Sequence, residues 1–269
     1  MSNLLYTILI GLVQGVSEWL PVSSKTQVLL VSSYLYSLPV SVAFVFGLFM
    51  EVGSIGSAVI YFRKDILLLL RDRKLLAYLV VVTLVTGAVG VPLYLLSERL
   101  LQNAYNLGIP MAVLGVFLVV DAIYIRYSRL PPRIGGLPEM KLKHYVAIGL
   151  AQGLSALPGV SRSGMTVSTM LFMGVDPKDA FRLSYLAYIP AALGGLATTL
   201  LFSRGEIATA LAVVDPAGVA VAAVTALVVG LLVISLLLRF AKRNNIYVVT
   251  LAIGLIALVI GMLAAVGTA

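Results

Sequence analysis

Six stretches of this chain are apolar for long enough to cross a bilayer as a helix: Val40 to Phe62, Leu75 to Leu96, Leu107 to Ile125, Ala180 to Phe202, Asp215 to Leu238 and Ile246 to Val266. Inside hydrocarbon no water is at hand to satisfy a backbone N–H or C=O, so a spanning segment must pair its own backbone as a helix or close into a barrel. Runs of this length specify helices. The composition agrees: 61% of the 269 residues are hydrophobic and 11% charged, and the mean hydropathy is +1.07, far outside the range of domains that fold in water. The fold class expected is an all-α integral membrane protein forming one domain over residues 1–269.

Two further apolar stretches, Leu4 to Tyr36 and Tyr145 to Gly174, are broken in the middle by Pro, Gly and several Ser. Each leaves half-helices of about a dozen residues, too short to span. Such interruptions read as re-entrant hairpins, whose irregular backbone is tolerated only where protein or a water-filled cavity covers it. The segment from Leu4 to Val13 has the length of a secretory leader's core, but it lacks a basic start and runs into Glu18, so it reads as mature protein.

The net charge of +8 resides in short loops rather than in a patch, which points to membrane topology and away from nucleic acid. Arg63, Lys64, Arg71, Arg73 and Lys74 occupy one loop; Arg126, Arg129, Arg133, Lys141 and Lys143 another. With hairpins that return to the face they left, Lys178 and Arg182, and then Arg239, Lys242 and Arg243, fall on the same, cytoplasmic side. Arg99 and Arg204 fall in outer loops, and both termini face outward. The chain has no cysteine, which removes disulfide, zinc-thiolate and thiol chemistry.

The broken stretches repeat one another. Gly11-Leu12-Val13-Gln14-Gly15-Val16-Ser17 matches Gly149-Leu150-Ala151-Gln152-Gly153-Leu154-Ser155, and Leu20-Pro21-Val22-Ser23-Ser24-Lys25-Thr26 aligns with Leu157-Pro158-Gly159-Val160-Ser161-Arg162-Ser163. Each copy is a hairpin followed by three spans, an odd number, so the halves (about 1–126 and 144–269, joined by a cytoplasmic loop at about 127–143) are inverted. Inverted repeats with discontinuous helices place a substrate site near the midplane, where the breaks meet.

At each break a second half-helix starts at a serine cluster, turning free N–H groups and the positive end of a helix dipole toward the shared cavity. Arg162 adds a planar fork suited to phosphate oxygens, Lys25 a compact cation, and Ser23, Ser24, Thr26, Ser161 and Ser163 hydroxyls. A diphosphate suits this donor set better than a carboxylate. Glu18 and Glu51 are acids at membrane depth, where ionisable groups are costly; beside an anion they read as ligands of a hard divalent cation, Mg²⁺ or Ca²⁺, or as a general acid or base. The plainer reading of Arg162 and Lys25 is ion pairing with Glu18 or Glu51, and of Ser17 and Ser155 close helix packing. Asp121 reads as a boundary charge and His144 as an interfacial residue.

Glu18-Trp19-Leu20-Pro21-Val22-Ser23-Ser24, Glu51-Val52-Gly53-Ser54-Ile55 and Pro158-Gly159-Val160-Ser161-Arg162-Ser163-Gly164 resemble the signature of the undecaprenyl diphosphate phosphatases of the bacitracin-resistance type. The resemblance covers nearly the whole chain. It implies metal-assisted removal of the terminal phosphate from a polyprenyl diphosphate, in the plasma membrane, at a site open to the outer face. It further implies Ser24 as nucleophile or close substrate contact, Glu18 as the second glutamate of the first motif, and Arg162 as the phosphate-binding arginine flanked by Ser161, Ser163 and Gly164. Where the family pattern has a first glutamate and a histidine, this chain has Gln14 and Gln27; Glu51 stands where glutamine is common and Lys25 where a small residue is common. Compensation by Glu51 and Lys25 keeps hydrolysis. Its loss would leave a polyprenyl-phosphate transporter or flippase. The partners expected are the lipid and the membrane; a homodimer is compatible with the sequence.

Overall fold

The computed structural model describes residues 2–20, 23–69, 71–102, 134–157, 160–240 and 246–267, with scattered positions between 112 and 127. The described residues are helical apart from turns and one isolated bridge, Ile134 to Val175. In chain order the helices are α1 (Ser2–Ser17), α2 (Ser24–Tyr36), α3 (Val40–Phe49), α4 (Glu51–Tyr61), α5 (Arg63–Leu68), α6 (Arg73–Gln102), α7 (Leu142–Leu154), α8 (Arg162–Phe172), α9 (Pro177–Phe202), α10 (Arg204–Val214), α11 (Pro216–Phe240) and α12 (Ile246–Gly267). Among the described residues four helical segments are long and apolar enough to cross a membrane: Val40–Tyr61, Arg73–Arg99, Pro177–Phe202 and Pro216–Arg239. The span expected at Leu107 to Ile125 lies largely outside the described residues, as do Pro21, Val22, Asp121, Arg129, Arg133, Pro158, Gly159, Lys242 and Arg243.

The first span matches the expected stretch and is made of two helices joined at Met50. Met50 keeps near-helical angles (φ −66, ψ −13), and its N–H still reaches the Phe46 carbonyl at 2.9 Å. The chain therefore tightens rather than breaks, and Glu51 is placed in the first turn of α4. Local chemistry also fixes where other helices start. Asp176 caps α9 by accepting the Lys178 N–H at 2.9 Å, with Pro177 at the first helical position, where its missing donor costs nothing. Ser161 caps α8 by accepting the Gly164 N–H at 3.2 Å. Ser23, before α2, sits at φ 52 and makes no side-chain cap, a left-handed conformation that costs a non-glycine residue roughly 1–2 kcal/mol.

The half-helices are held by close backbone approach. Helix α1 lies along α11 and α7 along α6. A Cβ on Gly15 would stand 2.8 Å from Val229 Cβ, and one on Gly153 2.7 Å from Val89 Cβ; Gly11 and Gly149, one turn earlier, meet α11 and α6 in the same way. Small residues at these contacts let helices pack where no hydrophobic drive separates helix from lipid. A buried cluster containing Trp19, Phe62, Tyr78, Tyr145, Ile148 and Tyr185 fills one end of the bundle, and one containing Ile10, Val28, Phe44, Met50, Tyr94 and Val214 fills the other.

Three basic segments gather at one end. Lys74 Nζ donates to the Pro138 carbonyl, Arg182 pairs with Asp65, and Ile134 bridges Val175. Substituting Gly153 by Leu should cost about 1–3 kcal/mol of stability through overpacking against Val89. That cost should appear as a lower thermal midpoint of the detergent-solubilised protein, while Gly205→Leu, where nothing lies within 4 Å of a new Cβ, should leave the midpoint unchanged.

Candidate active site

Gln14 and Glu18 stand one turn apart at the end of α1, so their side chains share a face. Both are buried. Gln14 Nε2 donates to Glu18 Oε2 at 2.8 Å and to Ser54 Oγ of α4 at 3.1 Å. Ser24 Oγ, at the first position of α2, donates to the same Glu18 oxygen at 2.6 Å. The turn carrying Glu18 is fixed from two other helices: Tyr185 OH donates to the Trp19 carbonyl at 2.8 Å and Ser163 Oγ to the Leu20 carbonyl at 2.9 Å.

Arg162 joins the two breaks. Its Nη2 is 2.6 Å from Glu51 Oε1 and 3.5 Å from Glu18 Oε1, and its guanidinium carbon lies 4.5 Å from the centre of the Tyr188 ring. Arg162 Nη1 is buried without a partner. Lys25 is also buried. It forms no carboxylate pair among the described residues; its Nζ instead donates to the Ser155 carbonyl at 2.5 Å, the C-cap of α7. The ion-pair reading thus holds for Arg162 and not for Lys25, because the carbonyl at the end of α7 comes closer to the ammonium than either acid does.

The remaining expected site residues divide. Ser23 and Thr26 bond one another at 3.1 Å. Ser161 and Gly164 are engaged with each other in the α8 cap, and Ser161 Oγ is 3.3 Å from Ser163 Oγ. Gln27 lies half-buried on α2, its N–H donating to the Ser23 carbonyl at 3.2 Å. Ser17 and Ser155 bond back to Val13 and Gln152 carbonyls, which matches the packing reading. His144 Nδ1 accepts the Lys141 N–H at 3.0 Å, away from these groups at the start of α7.

Sequence reasoning did not single out Ser54 and Tyr188. Ser54 had a local signal, three residues after Glu51 on one helix face. Tyr188 had none: only the packing of α9 brings its ring under Arg162 and its hydroxyl to the Glu51 carbonyl at 3.4 Å.

A cavity of about 250 Å³ reaches Lys25, Glu51 and Arg162. Glu18 and Ser24 are not on its wall; Arg162, which touches Glu18, is. Glu18, Glu51, Lys25 and Arg162 sum to zero formal charge. A bound diphosphate would leave buried negative charge that a divalent cation can offset. Among the described residues no cluster of three or more His, Cys, Asp or Glu occurs, but Gln14 Oε1 is a buried acceptor with no partner, close to Glu18 through its own amide. Two carboxylates and a neutral oxygen, completed by phosphate and water, are an adequate set for a Mg²⁺-like ion. These residues fit the cation.

Comparison with known proteins follows the same line. A relative named undecaprenyl-diphosphatase from Sulfurisphaera tokodaii is 59% identical across 97% of this chain and 98% of its own length. Proteins of the same name are 56% identical in Saccharolobus islandicus, over 97% of this chain and 98% of the relative, and 40% identical in Pyrobaculum islandicum, over 97% of each. The family described as bacitracin resistance protein BacA matches residues 7–261, a range that contains every group described above, and the chain belongs to that family.

Proposed function

We propose that this protein hydrolyses undecaprenyl diphosphate, or a closely similar polyprenyl diphosphate, to the monophosphate and inorganic phosphate. The observation that carries the proposal is the junction of Ser24, Glu18 and Arg162: a hydroxyl donating to a buried carboxylate at 2.6 Å, beside a guanidinium with an unpaired nitrogen. The names of full-length relatives point to the same reaction.

In this reading the diphosphate enters the cavity at Lys25 and Arg162, and its oxygens take the guanidinium from Glu51. Arg162 then spans the phosphate and Glu18, bringing the terminal phosphorus to Ser24. Ser24 Oγ attacks; the Oγ–P bond forms, the bridging P–O bond breaks, and the polyprenyl monophosphate leaves. Glu18 accepts the Ser24 proton and gives it up to solvent, then takes one from the attacking water and returns it to Ser24 Oγ as phosphate departs. Lys25 and Arg162 counter the negative charge of the transferred group. A divalent cation held by Glu18 and Glu51, with Gln14 Oε1 as a neutral ligand, would supply charge neutralisation when bound. Every group named lies on one chain, so the chemistry does not require a dimer.

The same proposal takes α1–α2 and α7–α8 as re-entrant hairpins of two inverted halves in a single membrane domain, six spans in all. Reciprocal packing supports it: α1 of the first half lies on α11 of the second, and α7 of the second on α6 of the first, through the matched glycines. In this arrangement the basic segments face the cytoplasm and the site opens outward in the plasma membrane. The Arg162–Glu51 pair standing between the cavity and Ser24 favours one rival, a lipid-phosphate carrier that binds and does not hydrolyse.

Purified protein given undecaprenyl diphosphate should release phosphate with Mg²⁺ or Ca²⁺ and stop with a chelator; binding without release under every metal condition would select the carrier. Arg162→Lys keeps the charge and loses the fork, and should lower kcat/KM by roughly tenfold to a hundredfold. An unchanged value would remove Arg162 from phosphate recognition. Arg162→Ala is the poorer probe, since it strands two buried carboxylates at a cost of roughly 3–5 kcal/mol.

A further inference from the structure

Helix α6 is hydrogen-bonded to α9 or the residue that follows it at two levels, and between them Gln152 of α7 reaches both helices, donating to Thr86 Oγ1 at 3.2 Å and to the Ala187 carbonyl at 3.5 Å. At one level Tyr78 OH donates to the Leu183 carbonyl at 3.1 Å. At the other, Tyr94 OH lies 2.5 Å from Ser203 Oγ, which donates to the buried Glu98 carboxylate at 2.6 Å. The ties are sixteen residues apart on α6, roughly 24 Å along a helix. Between them each helix carries a proline, Pro92 and Pro190, and glycines where a packed pair would have side chains. Around Gly87, Gly194 and Gly195 nothing lies within 4 Å of the place a Cβ would take. Gly87 and Gly194 are exposed, and the flanking Leu84 and Leu193 are 68% and 50% exposed, as a lipid-facing rim requires.

This opening is continuous with the candidate active site. The cavity that touches Lys25, Glu51 and Arg162 is also lined by Gly87, Gly90, Gly194 and Gly195. Thr83, Thr86 and Gln152 belong to the same lining, and both Thr83 Oγ1 and the fully buried Gln152 Oε1 lack partners. The buried part of the cavity carries the charged groups, its exposed part is bare glycine backbone beside exposed leucines, and the unpaired hydrogen-bonding groups share the same lining.

The geometry points to a lateral window between α6 and α9 that takes the first isoprene units of a single polyprenyl chain, with the phosphate–isoprenoid junction at Thr83, Thr86 and Gln152. An occupant that touches both parts must be anionic at one end and apolar at the other, and its apolar end must continue into the bilayer. A cavity of about 250 Å³ holds a headgroup and the first units only, so the rest of the chain stays in lipid. The glycines give the window its breadth: the chain lies where side chains would otherwise meet. This inference takes the identity of the headgroup from the proposed function, but the window itself is tested without turnover.

Because the chain has no cysteine, Gly87→Cys and Gly194→Cys each create one unique thiol for maleimide labelling in detergent or vesicles. Undecaprenyl monophosphate should slow labelling at both positions by roughly tenfold when bound near saturation, while inorganic phosphate and phosphatidylcholine should not. Gly205→Cys, in open space off the cavity, should label at the same rate with or without the lipid. No protection, or equal protection by phosphate alone or by phosphatidylcholine, would overturn the window. In turnover, Gly87→Leu and Gly194→Leu should cut hydrolysis of undecaprenyl diphosphate by roughly tenfold or more while changing that of a short-chain diphosphate such as isopentenyl diphosphate far less. Equal loss on both substrates with an unchanged melting temperature would count against it. Protection of the thiol in Gly87→Cys, in a protein that releases no phosphate before that substitution is made, would remove the phosphatase reading and leave the window standing.

Discussion

The buried contact of Arg162 with Glu51 and Glu18 is the constraint on which the site depends. Two carboxylates at membrane depth are each expensive to ionise alone, and a guanidinium 2.6 Å from one and 3.5 Å from the other makes both tolerable. The three residues come from α4, the turn after α1 and the start of α8, so one cation fastens three separate parts of the chain. Tyr188 seats the guanidinium from a fourth, α9. The pairing is nonetheless incomplete. Arg162 Nη1 and Gln14 Oε1 are buried and unsatisfied, and such groups persist where a ligand completes them.

The interrupted helices are what allow these groups to meet. A continuous span presents side chains and hides its backbone, whereas α2 and α8 each start beside the site, at Ser24 and Arg162. The two breaks differ in use. At Ser161 the first-turn N–H of Gly164 is already capped, and the site gains the Arg162 side chain. At Ser23 the side chain makes no cap and the backbone is held in a left-handed conformation, which delivers Ser24 to Glu18 and Lys25 to the cavity. Strain of this kind survives when surrounding packing over-determines it; here Trp19, Tyr185 and Ser163 hold the preceding turn.

Much of this could be read in the sequence, because hydrophobic run length and Pro/Gly/Ser interruptions act locally. Four of the expected spans and the interruptions at the two serine clusters were legible for that reason. Glu18, Ser24, Glu51 and Arg162, which the structure brings together, stood out as polar groups beside those interruptions or within an apolar run. The helix joint at Met50 was not, since Val40 to Phe62 carries no proline and only a tightened turn marks the place. Nor was the partner of Lys25, a carbonyl 130 residues away, or the ring of Tyr188 under Arg162. Both depend on how α7 and α9 pack, and sequence periodicity carries no information about which carbonyl or ring will face a given cation. Ser54 was within reach, because its spacing from Glu51 puts it on the helix face that meets the Gln14 amide.

Whether the serine held by Glu18 carries out phosphoryl transfer is tested most directly by phosphate release from undecaprenyl diphosphate by wild type and Ser24→Ala, with lipid binding measured on both. Loss of release by roughly a thousandfold or more with binding retained is the outcome predicted by a nucleophilic Ser24. Release by Ser24→Ala at the wild-type rate would contradict it and move the chemistry elsewhere in the site.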